Sequence, residues 1–118
     1  MNLVRTAAIL GFIGVALGAF GAHALRGRVA PEMIEVWRTG VLYHLLHTLA
    51  LLAVAALGPK VTRPQLVAGL FLAGIAIFSG SLYLLVLTDV RVLGAVTPLG
   101  GLAFMAGWIA LAISARRA

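Results

Sequence analysis

The chain has 118 residues, of which 63% are hydrophobic and only 10% are charged, and its net charge is +6. Soluble domains are typically about 45–50% apolar and about 25% charged, so this composition leaves too few charges for a water-facing surface. Disordered segments are poor in apolar residues, which excludes disorder as well. The composition therefore predicts a small integral membrane protein whose immediate partner is the lipid bilayer.

The chain has no cysteine, which excludes disulfides, thiol chemistry and thiolate metal sites. Its nine Lys and Arg residues outnumber its three acids, but they occur singly or in pairs at the ends of apolar stretches. Nucleic-acid-binding proteins instead concentrate basic residues on one face. We therefore expect no nucleic-acid partner, and we interpret the basic residues as topology signals and headgroup contacts.

Four apolar stretches are long enough to cross the roughly 30 Å hydrocarbon layer. They cover residues 6–25, 41–57, 65–88 and 98–115. Thr62 and Gln65 have the spacing of a capping box, and Pro64 lies where the third helix would begin. Thr97 followed by Pro98 predicts the start of the fourth helix. The predicted fold is all-α: a four-transmembrane-helix bundle with up-down-up-down connectivity, forming one membrane domain over the whole chain.

Residues 31–39, between the first two stretches, are predicted to form a short interfacial helix. Pro31 and Glu32 are typical of a helix start, and Trp37 would anchor the segment at headgroup level. An irregular loop is the alternative for this segment.

The basic residues also predict an orientation. Five lie on the side of the termini and four on the other side: Arg5, Lys60, Arg63, Arg116 and Arg117 against Arg26, Arg28, Arg38 and Arg91. Because cytoplasmic loops carry an excess of Lys and Arg, both termini are predicted to be cytoplasmic. Because five against four is a nearly even distribution, it also leaves open a dual topology, in which the protein inserts in both orientations.

Small residues recur at helical spacing in three of the four stretches. The three stripes are Gly11, Gly14, Gly18 and Gly21; Gly69, Ala73, Ala76 and Gly80; and Gly100, Ala103, Gly107, Ala110 and Ser114. Lipid provides no hydrophobic drive between helices, so small residues that permit close backbone approach usually hold them together. Each stripe is predicted to be a helix-packing face.

Most side chains capable of chemistry are predicted to lie near one membrane face. A candidate ligand-binding pocket there comprises His23, Tyr43, His47, Tyr83 and Arg91, supported by Trp37, Ser79, Ser81, Asp89 and Thr97. Such a pocket would suit a lipid headgroup, a quinone, haem or a metal ion, and the identity of any cofactor stays open. No nucleophile–base arrangement or nucleotide fingerprint is recognisable, so no catalytic residue is predicted.

The three histidines are the candidate metal ligands. His44 and His47 share a helical face, and His23 would arrive from the neighbouring helix at similar depth. Three imidazoles could bind zinc or copper, and two could ligate haem. The alternative is that they are interfacial histidines bonded to loop carbonyls or to Asp89.

The three acidic residues are expected to be surface groups, solvated or in ion pairs, rather than a functional site. Asp89 and Arg91 are i, i+2 neighbours that would not face each other on a helix, so Asp89 is expected to pair with Arg26 or Arg38. All three acids lie at or beyond the ends of the apolar stretches, which disfavours a proton-coupled exporter.

Five ordered motifs resemble a known family. They are Gly18-Ala-Phe-Gly-Ala-His23-Ala-Leu25, Trp37-x-Thr39, Tyr43-x-x-x-His47, Phe78-Ser-Gly-Ser-Leu-Tyr83, and Thr97-Pro-x-Gly-Gly101 with Gly107-Trp108. Together they resemble the YgdD-like small bacterial membrane proteins, an uncharacterised family with relatives in eukaryotes. The resemblance implies four transmembrane helices in the bacterial inner membrane and no established activity. It includes His23 and His47 but does not require His44.

Two function hypotheses follow. The first is a non-enzymatic accessory or scaffold protein of the inner membrane, which would form a homo-oligomer or join a membrane complex. The alternative is a ligand-binding module built on the predicted pocket. An enzyme ranks third because the packing stripes are more conspicuous than any reaction chemistry.

Overall fold

A computed structural model describes residues 1–116, so the predicted contribution of Arg117 to the charge count lies outside the described residues. The helices are α1 (Leu3–His23), α2 (Pro31–Leu57), α3 (Pro64–Gly74), α4 (Gly80–Thr88) and α5 (Leu93–Ser114). A π-helical segment, Ile75–Ser79, joins α3 to α4 in one continuous span, Pro64–Thr88. The described part of the chain thus has four helical spans long and apolar enough to cross a membrane.

The second span is longer than the sequence predicts. Residues 31–39 form the first turns of α2 rather than a separate interfacial helix, because no helix-breaking residue interrupts the chain between Pro31 and Leu57. An exposed ion pair between Arg38 and Glu35, 3.2 Å apart, lies along these turns. Trp37 is buried against α1 and only 2% exposed, so it is a packing residue and not an exposed anchor.

The predicted start of α3 at Pro64 is confirmed, but its predicted cap and the predicted start of the last helix are wrong. Thr62 does not cap α3, since its hydroxyl donates to the carbonyl of Ser114 at 3.0 Å. Helix α5 begins at Leu93, so Pro98 lies inside it and Thr97 is a helical residue whose hydroxyl contacts the carbonyl of Leu93. Both threonine hydroxyls were expected to cap a helix, but each bonds a backbone carbonyl instead: Thr62 bonds a distant residue, and Thr97 bonds a residue of its own helix.

Hydrogen bonds show which connections lie at the same end of the molecule. The side-chain amide of Gln65 donates to the carbonyl of Met1, and the backbone N–H of Arg116 donates to the carbonyl of Lys60. At the other end, Arg28 from the α1–α2 loop and Arg91 from the α4–α5 loop line one depression. Met1, Arg116 and the α2–α3 connection therefore lie at one end of the described residues, and the α1–α2 and α4–α5 loops lie at the other.

Helix α1 packs mainly on α2 and lies at the edge of the molecule. Only Ala7, Gly14 and Gly21 of its residues are buried. The main core lies instead between α2, the third span and α5, where Leu51, Phe71 and Phe104 are buried. One side of α1 is therefore left without a packing partner in the described chain.

The stripes on α1 and α5 are confirmed as packing faces. A Cβ at Gly14 would lie 2.5 Å from Cδ2 of Leu45, and one at Gly21 would lie 2.5 Å from Nε1 of Trp37. On α5, a Cβ at Gly100 would overlap the backbone of Phe78. At Gly21 and Gly100 the opposing atoms belong to a rigid ring and to backbone, so only hydrogen fits, whereas at Gly14 the opposing Leu45 side chain would have to move.

The stripe predicted on the third span is wrong. Gly69 and Ala76 are exposed, and a Cβ at Gly80 would meet nothing within 4 Å. The face that packs on α5 carries Phe71 and Gly74, where a Cβ on the glycine would lie 2.8 Å from Cγ of Phe104. Small size alone did not identify the packed side, because two glycines at this interface are each opposed by a large side chain: Gly74 by Phe104, and Gly107 by Phe71.

Candidate functional site

His44 lies at the centre of a polar network that joins three spans. It is 3% exposed, with Nε2 2.9 Å from the carbonyl oxygen of Leu10 on α1 and Nδ1 2.9 Å from the hydroxyl of Tyr83 on α4. A carbonyl oxygen only accepts, so Nε2 carries the proton and Nδ1 accepts from the Tyr83 O–H. A neutral imidazole in this tautomer satisfies both contacts without placing a charge in the membrane interior.

The contact between His44 and α1 depends on Gly14. The carbonyl of Leu10 already accepts the helical bond from the N–H of Gly14, four residues later, and His44 uses its second lone pair. A Cβ at Gly14 would lie 3.3 Å from Cδ2 of the His44 ring. The missing side chain thus opens a path to a carbonyl that is otherwise covered by its own helix.

The same arrangement recurs one heptad away. Nε1 of Trp37 donates to the carbonyl of Leu17 at 2.8 Å, and Gly21, four residues after Leu17, leaves space for the indole. Leu17 follows Leu10 by seven residues, and Trp37 precedes His44 by seven. Two ring N–H groups on α2 therefore bond two carbonyls on α1 through two glycine gaps. We call this pair of contacts the glycine-gap bonds.

His47 occupies a second, aromatic environment between α2 and α5. Its Nδ1 lies 2.8 Å from the carbonyl of Tyr43, and its Nε2 accepts from Nε1 of Trp108 at 3.0 Å. The imidazole stacks on Phe104 with ring centroids 3.7 Å apart and meets Phe71 edge-on at 5.3 Å. His47 is thus the opposite neutral tautomer to His44, with the proton on Nδ1.

Hydroxyl groups complete the polar contacts between spans. Ser79, in the π-helical segment, is fully buried and donates to the carbonyl of Gly40 at 2.6 Å. The hydroxyls of Ser81 and Thr97 lie 2.6 Å apart and join α4 to α5. Among residues 1–116, every buried side-chain nitrogen or oxygen has a hydrogen-bond partner. Such complete pairing is what a low-dielectric membrane interior requires.

The predicted pocket residues fall into separate places. Tyr43 stacks near His47, with centroids 6.2 Å apart, and Tyr83 bonds His44. His23 is exposed at the end of α1, and Arg91 is exposed in the α4–α5 loop. The structure therefore brings the two tyrosines to two different histidines and gathers neither His23 nor Arg91 with them.

The candidate metal ligands are likewise apart. Both ring nitrogens of His44 and of His47 are engaged in hydrogen bonds, which leaves neither a free lone pair for a metal ion. Within the described residues, no group of three or more His, Asp or Glu side chains is placed to hold a metal. Of the two histidines that the family resemblance includes, His23 is exposed at the end of α1, whereas buried His47 bonds residues of α2 and α5 through both ring nitrogens.

The expected partner of Asp89 is wrong. Its carboxylate accepts from Nε of Arg91 at 2.9 Å, and neither Arg26 nor Arg38 bonds it. Asp89 ends α4 in the left-handed conformation, with φ of 56°, so the helical i, i+2 rule no longer applies. The pair is exposed and contributes little to stability.

Sequence reasoning missed the backbone acceptors and Trp108. A carbonyl has no residue-type signature, so Leu10 and Leu17 could not be identified from the chain. The signal that was present is a matched spacing: Gly14 and Gly21 are seven apart, as are Trp37 and His44.

Comparison with known proteins places the chain among small membrane proteins. Residues 17–101 match the family described as "Protein of unknown function (DUF423)". The chain is 49% identical over 111 residues to the UPF0382 membrane protein YwdK of Bacillus subtilis, covering 92% of this chain and 90% of the relative. It is 44% identical over 113 residues to the UPF0382 inner membrane protein YgdD of Escherichia coli, covering 94% and 86%. No solved structure was found to match the chain.

Proposed function

Since the chain belongs to the DUF423 family of membrane proteins, we propose that it is a non-enzymatic accessory or scaffold component of the bacterial inner membrane. One observation carries the proposal: the ring nitrogens of the two buried histidines are all used to hold the chain in its fold. Ionisable side chains inside a membrane are by default functional-site candidates. Here the ring nitrogens of both buried histidines are used in hydrogen bonds within and between helices, which favours a structural role.

The edge position of α1 supports an interaction role. Its unpacked side carries large apolar residues, with Phe12 78% exposed and Val15 65% exposed. Among the described helices, α1 has only α2 as a substantial neighbour. In the proposed scaffold, this outer face of α1 contacts another membrane protein or a second copy of the chain.

The proposed topology is up-down-up-down with both termini in the cytoplasm. The support is the shared location of the chain ends and the α2–α3 connection, together with the basic residues Arg5, Lys60, Arg63 and Arg116 that lie at that end. A C-terminal alkaline phosphatase fusion is expected to be inactive and a C-terminal green fluorescent protein fusion to be fluorescent. Activity of both fusions at comparable levels would indicate dual topology and contradict this orientation.

Site-specific photo-crosslinking in native membranes tests the scaffold proposal. A photoreactive amino acid at Phe12 is expected to give a discrete protein adduct, whereas the same probe at Leu51, which is fully buried, is expected to give none. Native electrophoresis from mild detergent should show a species larger than the monomer. A monomer with only lipid adducts at Phe12 would refute the proposal.

A further inference from the structure

Two adjoining depressions lie along the α1–α2 interface, at the end of the molecule that holds the α1–α2 loop. The first, of about 520 Å³, is polar at its mouth and is lined by the charged residues Arg26, Glu35 and Arg38. The second, of about 260 Å³, is mostly apolar and runs beside Gly18, Gly21 and Trp37 to Leu42 and Leu45. Both depressions include Ile34 and Arg38 in their walls. They form one groove with a charged mouth and an apolar floor, which we call the α1–α2 groove.

The groove has a local structural cause. At Gly18, α1 leaves a shallow channel beside α2, because a Cβ there would reach only ordinary contact with Val41 at 3.4 Å. At the mouth, Gly27 has φ of +81°, a conformation that favours glycine, and the turn that it forms places Arg26 beside the start of α2. Sequence and backbone thus build a polar mouth directly above an apolar channel.

The charged side chains at the mouth indicate which kind of lipid headgroup would fit there. Two guanidiniums match the oxygens of a phosphate diester, which arginine binds with paired N–H donors. One carboxylate, Glu35, matches a cation carried by the same headgroup. The apolar floor, which ends beside the exposed Leu42 and the half-buried Leu45, is suited to an acyl chain. The arrangement therefore offers a partner to each part of a zwitterionic phospholipid: Glu35 to the terminal ammonium, the two arginines to the phosphate, and the apolar floor to the hydrocarbon.

From this match we propose that the α1–α2 groove binds a diacyl phospholipid whose headgroup carries a phosphate and a primary ammonium, as in phosphatidylethanolamine. Arg26 and Arg38 hold the phosphate, Glu35 accepts from the ammonium, and one acyl chain lies in the channel beside Gly18. The ion pair between Arg38 and Glu35 does not oppose this, because its side chains are 60% and 70% exposed and such pairs are weak. A quaternary ammonium has no N–H to donate, so phosphatidylcholine makes only part of the interaction.

Native mass spectrometry of the full chain in mild detergent tests the proposal. The probes are phosphatidylethanolamine and phosphatidylcholine with identical acyl chains, added at equal concentration. The wild-type chain is expected to retain one phosphatidylethanolamine in preference to phosphatidylcholine. Arg26→Gln and Arg38→Gln should each weaken both adducts about fivefold, whereas Glu35→Gln should remove the preference between them. Ala22→Phe, which fills the channel, should weaken both adducts and keep the preference.

Matched controls come from the other exposed ion pair at the same end. Arg91→Gln and Asp89→Asn remove the same charges outside the groove and are expected to change neither adduct. All the rim side chains are exposed, so circular dichroism should show unchanged helicity in these variants. Equal adducts in the wild type and in an Arg26→Gln/Arg38→Gln double variant would show annular lipid only and overturn the site. Equal retention of the two lipids by the wild type would overturn the headgroup assignment.

Discussion

The substitution Gly21→Ala tests the glycine-gap bonds most directly. A Cβ at Gly21 would overlap Cδ1 of the Trp37 indole and lie 2.5 Å from its Nε1. The indole is rigid, buried and bonded to the carbonyl of Leu17 at 2.8 Å, so it cannot move away without losing that bond. The neighbouring Gly18→Ala is the natural control, because its Cβ would meet Val41 at an ordinary 3.4 Å.

The two substitutions are expected to change the free energy of unfolding differently. Replacing a helical glycine with alanine is worth about 1 kcal/mol in helix propensity. At Gly21 this gain is outweighed by overpacking of about 1–3 kcal/mol and by a lost hydrogen bond of about 1 kcal/mol. We therefore expect Gly21→Ala to destabilise the protein by about 1–3 kcal/mol and Gly18→Ala to be neutral or slightly stabilising.

The assay is reversible unfolding in bicelles or detergent, monitored by tryptophan fluorescence and circular dichroism. Adding Trp37→Phe, which removes the indole N–H and the five-membered ring, should relieve part of the Gly21→Ala penalty, and a double-mutant cycle measures this coupling. Equal stability of the Gly21→Ala and Gly18→Ala variants would show that the glycine gap does not position Trp37. Additive effects of Gly21→Ala and Trp37→Phe would show the same.

Two further predictions concern the other interfaces. Gly100→Ala is expected to be more disruptive than Gly21→Ala, because the new Cβ would overlap the backbone of Phe78, whereas Gly101→Ala, with its nearest contact at 3.9 Å, should be tolerated; thermal stability of the two variants checks this. Tyr83→Phe leaves Nδ1 of His44 without its donor and should cost about 1 kcal/mol. That loss should vanish in a background that already carries His44→Phe, and equal losses in both backgrounds would contradict the assigned bond.

Spacing predicted the fold well where backbones touch. The α1 glycines were identified as a seam because they share one helical face, and the structure places Gly14 and Gly21 in tight contact with α2. The same reasoning failed for Gly69 and Ala76, which are exposed. A small residue permits close approach but does not require it, so the partner of each face depends on the other helices.

The candidate site was harder to predict for a related reason. The histidines were recognised as important, but their partners are a backbone carbonyl, a tyrosine from a distant span and Trp108. Such partners become neighbours only through the tertiary fold. The resemblance to a family also directed attention to His23 with His47, whereas His44 is the residue that links α1 to α4 in the structure.

The glycine-gap bonds restrict how the lengths of these two helices can change. Deleting one residue between Leu10 and Leu17 would move the second carbonyl about 1.5 Å along the helix and about 100° around it. No sliding or turning of α1 could then restore both contacts with Trp37 and His44. Insertions and deletions between Leu10 and Leu17, or between Trp37 and His44, should therefore be tolerated far less than length changes in the α1–α2 loop. This should hold even when every inserted or deleted residue is apolar.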